Sequence, residues 1–229
     1  MAFDGSMRPL TPGFYDRQAA ATYARRYASA PNPAFAQITG NDCTNFVSQA
    51  LLAGGWPMIG GSAWDSTDNG AWWYGKLQKK DYEGNVSELV DKLEVGLRLR
   101  QPTDLDERYR NSQTWSGADH FGKFLRVSHR ATKVDGPDRL QPGDVMQLMN
   151  ISKQEFHHTM IVIARVGGDL QYAQHSYNKT AFYRQDLLKR VSLKTDEIVH
   201  WKLRDVISPS NFPELAGAAA AGGNRRGSL

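Results

Sequence analysis

The hydrophobic pattern of this 229-residue chain changes its period once, near Gly136, and that change restricts the fold more than any other feature. Upstream, apolar residues recur every three or four positions, as on the buried side of amphipathic helices. Downstream, short β-branched and apolar runs are separated by Gly-containing turns, which is typical of antiparallel strands. Helices followed by an antiparallel sheet predict an α+β fold. The length suits one domain, which we place at residues 15–212, between an N-terminal extension (1–14) and a flexible Ala/Gly-rich tail (213–229).

Helices are predicted at four places in the upstream part. The first covers Tyr15 to Ala28, and the second runs from about Cys43 to Ala53, where Gly54-Gly55 supplies a left-handed ending. A third is predicted to start near Trp115. The stretch Val86 to Leu99 is ambiguous, because it fits a helix but also alternates in part like a strand, and we favour the helix.

Strands are predicted downstream of Gly136, at Val145 to Met149, Thr159 to Val166, Leu170 to His175 and Glu197 to Leu203. The β-branched run from Thr159 is predicted to be the central strand. Because Gly167-Gly168-Asp169 forms a tight turn after it, we expect the run from Leu170 to return beside it as a hairpin.

The chain has a single cysteine, Cys43, placed where polar, turn-forming residues give way to the second predicted helix. On the first turn of a helix a thiol feels the partial positive charge of the helix N-terminus, which favours the thiolate. One cysteine cannot form a disulfide within the chain, so it is an inert buried thiol, a weak metal ligand or a nucleophile. Cys43 lies at the edge of the buried stripe of its helix, which suits a nucleophile.

A cysteine nucleophile for acyl transfer needs a base, and two histidines are well placed to supply one. His158 starts the central strand and His175 ends its hairpin partner, so both lie far from the turn and close in register. A helix start packed on this sheet would bring Cys43 against His158, with His175 holding the imidazole from behind. The adjacent His157 leaves a one-residue ambiguity, and strand alternation from Thr159 onward favours His158.

Zinc binding is the rival use of these side chains, with Cys43, His157, His158 and His175 as ligands. Adjacent histidines on a strand point to opposite faces, however, and no pair of these residues has the short spacing usual for zinc ligands. We therefore predict no metal site and no requirement for a cofactor.

Motifs along most of the chain occur in the order found in one known family. The most specific is Asp42-Cys43-Thr44-Asn45-Phe46-Val47-Ser48-Gln49 followed by Ala53-Gly54-Gly55. The others are Tyr15 to Ala20, Tyr23-Ala24, Tyr27, Asn32-Pro33, Trp115-Ser116, Gly143-Asp144-Val145, His158 before an apolar strand, and Gln174-His175-Ser176. From about Tyr15 to Leu188 the chain thus resembles the putative amidase domain family, which is similar to NlpC-type papain-like cysteine hydrolases of bacterial cell-wall peptides.

The resemblance implies a papain-like fold with the nucleophile at a helix start packed on a C-terminal antiparallel sheet. It implies Cys43 as nucleophile, His158 as base and His175 as the third member of the triad, with Gln174 or Asn178 as substitutes for the third role. The Cys43 backbone N–H would be one oxyanion donor. The segment 76–110 is longer than the family usually has, and we interpret it as an insert that caps the groove or binds a partner.

Contacts to the substrate are predicted for residues near the thiol and for aromatic residues able to line a groove: Asp42, Asn45, Trp56, Trp73 and Trp115. A structural role stays open for each of them. Asp42 would be a helix N-cap, Asn45 would sit on the first helical turn, and the tryptophans would pack in the core or in loops.

The sequence therefore predicts a cysteine-dependent amidase or peptidase acting on peptidoglycan peptides through a thioester. Two alternatives stay open: an acyltransferase or deamidase using the same triad, and a non-catalytic cell-wall-binding module. The net charge of +4 and pI near 9.1 suit an anionic polymer, whereas no basic block or zinc-finger spacing indicates nucleic acid.

The sequence contains no apolar stretch of the kind that forms a signal peptide or crosses a membrane. We expect a secreted protein or one that acts at the cell wall or in the periplasm. Three explanations for the missing signal stay open: export by another route, a leader outside this sequence, or action inside a cell. A toxin delivered to rival bacteria, with a cognate inhibitor protein as its partner, is one such setting.

Overall fold

The computed structural model describes residues 13–38, 42–60, 66–76, 109–175, 179–189 and 191–207. These residues form helices that pack on an antiparallel sheet. The helices are α1 (Arg17–Tyr27), α2 (Cys43–Ala53), α3 (Gln113–Ser116), α4 (Ala118–Val127) and α5 (Arg184–Leu188). The strands are β1 (Gly13–Phe14), β2 (Tyr74–Lys76), β3 (Tyr109–Asn111), β4 (Ala131–Val134), β5 (Val145–Asn150), β6 (Glu155–Val166), β7 (Asp169–Gln174), β8 (Lys179–Tyr183), β9 (Asp196–Leu203) and β10 (Val206–Ile207). The α+β class predicted from the change of period is confirmed.

The main sheet has the strand order β4-β9-β5-β6-β7-β8, with every neighbouring pair antiparallel. Strands β6 and β7 form the predicted hairpin. Gly167 and Gly168 join them with φ angles of 58° and 85°, a left-handed conformation that glycine adopts without strain. Two short pairs, β1 with β10 and β2 with β3, lie beside the main sheet.

Helix α1 packs tightly against α2 because its inner face is made of small residues. The buried positions are alanines, Ala20, Ala21 and Ala24. The Asp16 side chain caps the helix by accepting a hydrogen bond from the Ala19 amide at 2.9 Å. At the end of α2, a Cβ on Gly54 would lie 2.5 Å from the Tyr15 ring, so only glycine allows this approach.

Helix α2 is the central helix of the molecule. All residues from Cys43 to Leu51 are buried, including the polar Thr44 and Ser48, and α2 packs against α1, α3 and strand β6. The helix ends at Ala53, and Gly55 two residues later has a φ of 90°, the predicted left-handed ending. The N-terminus of α2 therefore lies inside the protein, against strand β6, which carries His157 and His158 near its start.

Most of the elements predicted within the described residues are confirmed, with several differences. The short strands β1, β2, β3, β8 and β10 and the helix α5 were not predicted. The third predicted helix is two helices, α3 and α4, separated by the extended backbone of Gly117 (φ −93°, ψ 125°). Strand β6 begins at Glu155 rather than Thr159, and β4 was not predicted because none of its residues is buried. The stretch Val86 to Leu99 lies outside the described residues, as does most of the 76–110 segment.

Candidate active site

Cys43 is the first residue of α2, and its thiol is 1% exposed. The sulfur lies 3.7 Å from the Thr44 hydroxyl, and the His158 side chain and the Thr159 backbone are near enough to affect its ionisation. Burial alone would raise the pKa of the thiol. The hydrogen bond and positive charge of His158, together with the bonds from Thr44 and Thr159, outweigh it, so the pKa of Cys43 is lowered.

His158 lies beside the thiol near the start of β6 and is half-buried. Burial disfavours its charged form, but the hydrogen bond and charge of Cys43, followed by the bond to Gln174, favour it, and the pKa of His158 is raised. The two shifts act in the same direction, toward a thiolate paired with an imidazolium. The adjacent His157 is 48% exposed and pairs instead with Asp196 at 2.8 Å, so the two neighbouring histidines have separate surroundings.

Gln174, the last residue of β7, holds the far side of the His158 ring. Its Oε1 lies 2.6 Å from His158 Nε2. An amide oxygen can only accept, so Nε2 carries a proton, which leaves Nδ1 as the ring nitrogen available to the thiol. The third position was predicted for His175, with Gln174 as a substitute; in the structure Gln174 bonds to His158, whereas His175 bonds to Asp42 and Tyr27.

His175 is 2% exposed and turned away from His158. Its Nε2 lies 2.8 Å from the Tyr27 carbonyl oxygen at the end of α1, and its Nδ1 hydrogen bonds to Asp42 Oδ2. The imidazole also stacks on Phe46 of α2, with ring centroids 4.1 Å apart. Both ring nitrogens are therefore used within the protein interior.

Asp42 and Asn45, predicted as substrate contacts, are buried and bonded to the protein itself. Asp42 occupies the N-cap position of α2 without a side-chain capping bond; its Oδ1 accepts from the Ile38 amide (2.9 Å) and from Asn45 Nδ2 (2.7 Å). Asn45 also donates to the Ala36 carbonyl at 2.9 Å and accepts from Trp115 Nε1 at 2.8 Å. These contacts leave both side chains with structural roles in this conformation.

The three tryptophans predicted to line a groove lie in the core. Trp56, Trp73 and Trp115 are 1%, 4% and 0% exposed. Trp115 packs against Trp72, with ring centroids 4.8 Å apart. The Arg130 guanidinium lies 5.1 Å from the Trp56 ring, and burial lowers its pKa to about 9. The face of the Trp56 ring is thus already in contact with a cation of the protein itself.

A buried polar network ties the start of α2 to the sheet. The Thr44 and Thr159 hydroxyls are 2.8 Å apart, and Gln147 Nε2 donates to Thr159 Oγ1 (3.1 Å) and to the Ala118 carbonyl (2.8 Å). Trp201 Nε1 donates to the Gln147 Oε1 at 3.0 Å. This network was not predicted from the sequence; its one signal was Gln147 in the middle of the otherwise apolar run from Val145 to Met149.

Two further properties bear on the chemistry of the site. Within the part of the chain that the structure describes, no three His, Cys, Asp or Glu side chains come together as a metal site. In that same part, no helix is long and apolar enough to cross a membrane.

Comparison with known proteins gives one family and one relative. Residues 14–199 match a family model described as a putative amidase domain. The chain is also 29% identical over 159 residues to the uncharacterized protein YhbB of Bacillus subtilis strain 168. That match covers 68% of this chain and 39% of YhbB, so the chain spans well under half of that relative. No solved structure matches the chain.

Proposed function

The chain belongs to the putative amidase domain family, and from this premise we propose that it is a papain-like cysteine amidase acting on peptides of the bacterial cell wall. Family membership supports amide hydrolysis in general. The cysteine mechanism is supported by one observation above all, the line of side chains from Cys43 through His158 to Gln174.

Each side chain of this line has a role in the proposed reaction. The Cys43 thiolate attacks the carbonyl carbon of the scissile amide and forms a tetrahedral intermediate. His158 donates its Nδ1 proton to the leaving amine as the C–N bond breaks, which leaves a thioester on Cys43. Neutral His158 then takes a proton from water, the resulting hydroxide adds to the thioester, and the acid product leaves as the thiolate is restored.

Gln174 keeps the imidazole in the tautomer and orientation that this cycle needs, since it accepts only from a protonated Nε2. The Cys43 backbone N–H, at the start of α2, is the proposed donor to the oxyanion. Because the thiol is 1% exposed, substrate binding has to move aside the atoms that cover it.

The substrate class rests on the resemblance of the sequence motifs to cell-wall hydrolases. The net charge of +4 is compatible with an anionic wall polymer. The proposed site of action is accordingly the cell wall or the periplasm.

Digestion of purified sacculi, with mass spectrometry of the released fragments, tests this function. The wild-type chain should release fragments whose new ends report a cleaved amide bond, and Cys43→Ala should release none above background. Equal release by both proteins would refute the cysteine mechanism. If an added amine is incorporated at the new acyl end in place of water, the enzyme is an acyltransferase using the same thioester.

A further inference from the structure

Two buried polar side chains, a carboxyl and an imidazole, flank the proposed catalytic residues in the sequence. Asp42 directly precedes Cys43, and His175 directly follows Gln174. Their side chains are hydrogen bonded in the interior, with side-chain exposures of 8% and 2%. We propose that this pair is a positioning clamp, which holds the nucleophile end of α2 and the Gln174 end of β7 in the relative placement that the catalytic line requires.

The hydrogen bonds at the pair occupy both nitrogens of the imidazole. The Tyr27 carbonyl can only accept, so His175 Nε2 donates to it. His175 Nδ1 bonds to Asp42 Oδ2, and the other oxygen of that carboxyl group, Oδ1, accepts from Ile38 and Asn45. Tyr27 is the last residue of α1, so the bond to its carbonyl fixes the imidazole against the end of that helix.

The clamp joins three elements at one point. His175 bonds to the end of α1 through Tyr27, to the residue preceding α2 through Asp42, and stacks on Phe46 within α2. Since Cys43 and Gln174 are the covalent neighbours of the paired residues, a shift of the pair displaces the thiol and the orienting amide relative to each other. Both nitrogens of His175 and both carboxyl oxygens of Asp42 are bonded to other groups of the protein.

This inference rests on the proposed function, so its test uses a readout that needs no substrate. Ultraviolet absorbance of the thiolate, taken as the difference between each protein and the same protein carrying Cys43→Ala, follows ionisation of Cys43 with pH. In Asp42→Asn and in His175→Gln, the thiolate should appear at higher pH than in the wild type. The turnover number kcat should fall by about 10- to 100-fold with KM changed less, as expected for a misplaced catalytic group.

A conservative variant separates the clamp from a general need for the His175 ring. In His175→Asn, the amide nitrogen stands near the position of Nδ1 and can still donate to Asp42, whereas His175→Gln can reach only the Tyr27 carbonyl. The Asn variant should therefore recover much of the wild-type thiolate titration and kcat. In the double variant Asp42→Asn/His175→Gln the losses should be no greater than in either single variant, because both remove the same interaction.

Leu170→Ala is the control for lost stability, because Leu170 is fully buried in a cluster that contains neither Cys43 nor the clamp. Under conditions in which the Leu170→Ala variant is folded, its Cys43 thiolate should form at the same pH as in the wild type. A comparable upward shift in Leu170→Ala, or wild-type titration and kcat in Asp42→Asn, would overturn the clamp. Sacculi left intact by the wild type would instead count against the proposed function, and the thiolate titration would still decide on the clamp.

Discussion

The two faces of the six-stranded sheet are built from different kinds of side chain. The layer under the helices contains buried polar groups bonded across elements, such as Thr44 with Thr159 and Gln147 with the Ala118 carbonyl. The opposite face carries a separate apolar cluster, which consists of Leu140, Met146, Leu148, Met160, Val162, Leu170, Tyr172 and Leu187. A buried polar group costs free energy unless its hydrogen-bond partner is well placed. The relative positions of the side chains are therefore more tightly constrained in the layer under the helices than on the apolar face.

Two consecutive residues, His157 and His158, also differ in their surroundings. His157 is exposed and bound to Asp196, while His158 is half-buried between Cys43 and Gln174. Each difference can be tested with a pair of variants, one that changes a residue of the candidate site and one that changes a neighbouring residue outside it.

The largest effect is expected for His158→Ala. Removal of the base should lower kcat by about 10³-fold, within the range measured for general acid–base groups. His157→Ala should stay within about twofold of the wild type, as surface substitutions usually do. The assay is amide-bond cleavage at saturating substrate. Similar losses in both variants would mean that this strand end serves the fold rather than the reaction.

Gln174→Ala should have the next largest effect. Without the amide oxygen, the His158 ring loses its orientation and its preferred tautomer, so we expect kcat to fall by about 10- to 100-fold. The matched control is Gln171→Ala on the same strand, where the side chain is half-buried and makes no contact assigned to catalysis. Equal activity of Gln174→Ala and Gln171→Ala would remove Gln174 from the proposed mechanism.

The choice between Gln174 and His175 shows what the sequence could and could not predict. The start of α2 at Cys43 followed from turn-forming residues, amphipathic spacing and the closing glycines, and His158 followed from strand alternation. The sequence could not predict which side chain at the end of β7 contacts His158. The pairings of β7 with β6 and with β8 both contain register shifts, and such shifts change which side chain faces a neighbouring strand. The burial of Trp56 and Trp115 could not be predicted for another reason, since residue type alone does not tell a core aromatic from a groove aromatic.

The pH dependence of kcat/KM should follow the two pKa shifts. Activity should rise with pH through the lowered pKa of Cys43, as the thiolate forms, and fall through the raised pKa of His158, as the leaving-group acid is lost. Outside these limits it should drop by about tenfold per pH unit. In His158→Ala the acid limb should move up toward the ordinary thiol value, about 8.5. An acid limb already at that value in the wild type would contradict the thiolate–imidazolium pair.

The smallest effect on catalysis is expected on the apolar face, where the effect on stability should be large. Leu170→Ala leaves a cavity in a fully buried position and should lower the free energy of unfolding by about 2–5 kcal/mol. Thr159→Val leaves Thr44 and Gln147 short of a partner and should cost about 1–3 kcal/mol.

Denaturant unfolding measures the stability of both variants, and kcat of the folded proteins shows which of them also disturbs the site. Leu170→Ala should keep the wild-type kcat, whereas Thr159→Val, the less destabilised variant, should lose activity severalfold because Thr159 connects α2 to the strand that carries His158. If kcat instead follows stability in both variants, the two faces are mechanically coupled and the polar layer has no separate role in holding the site.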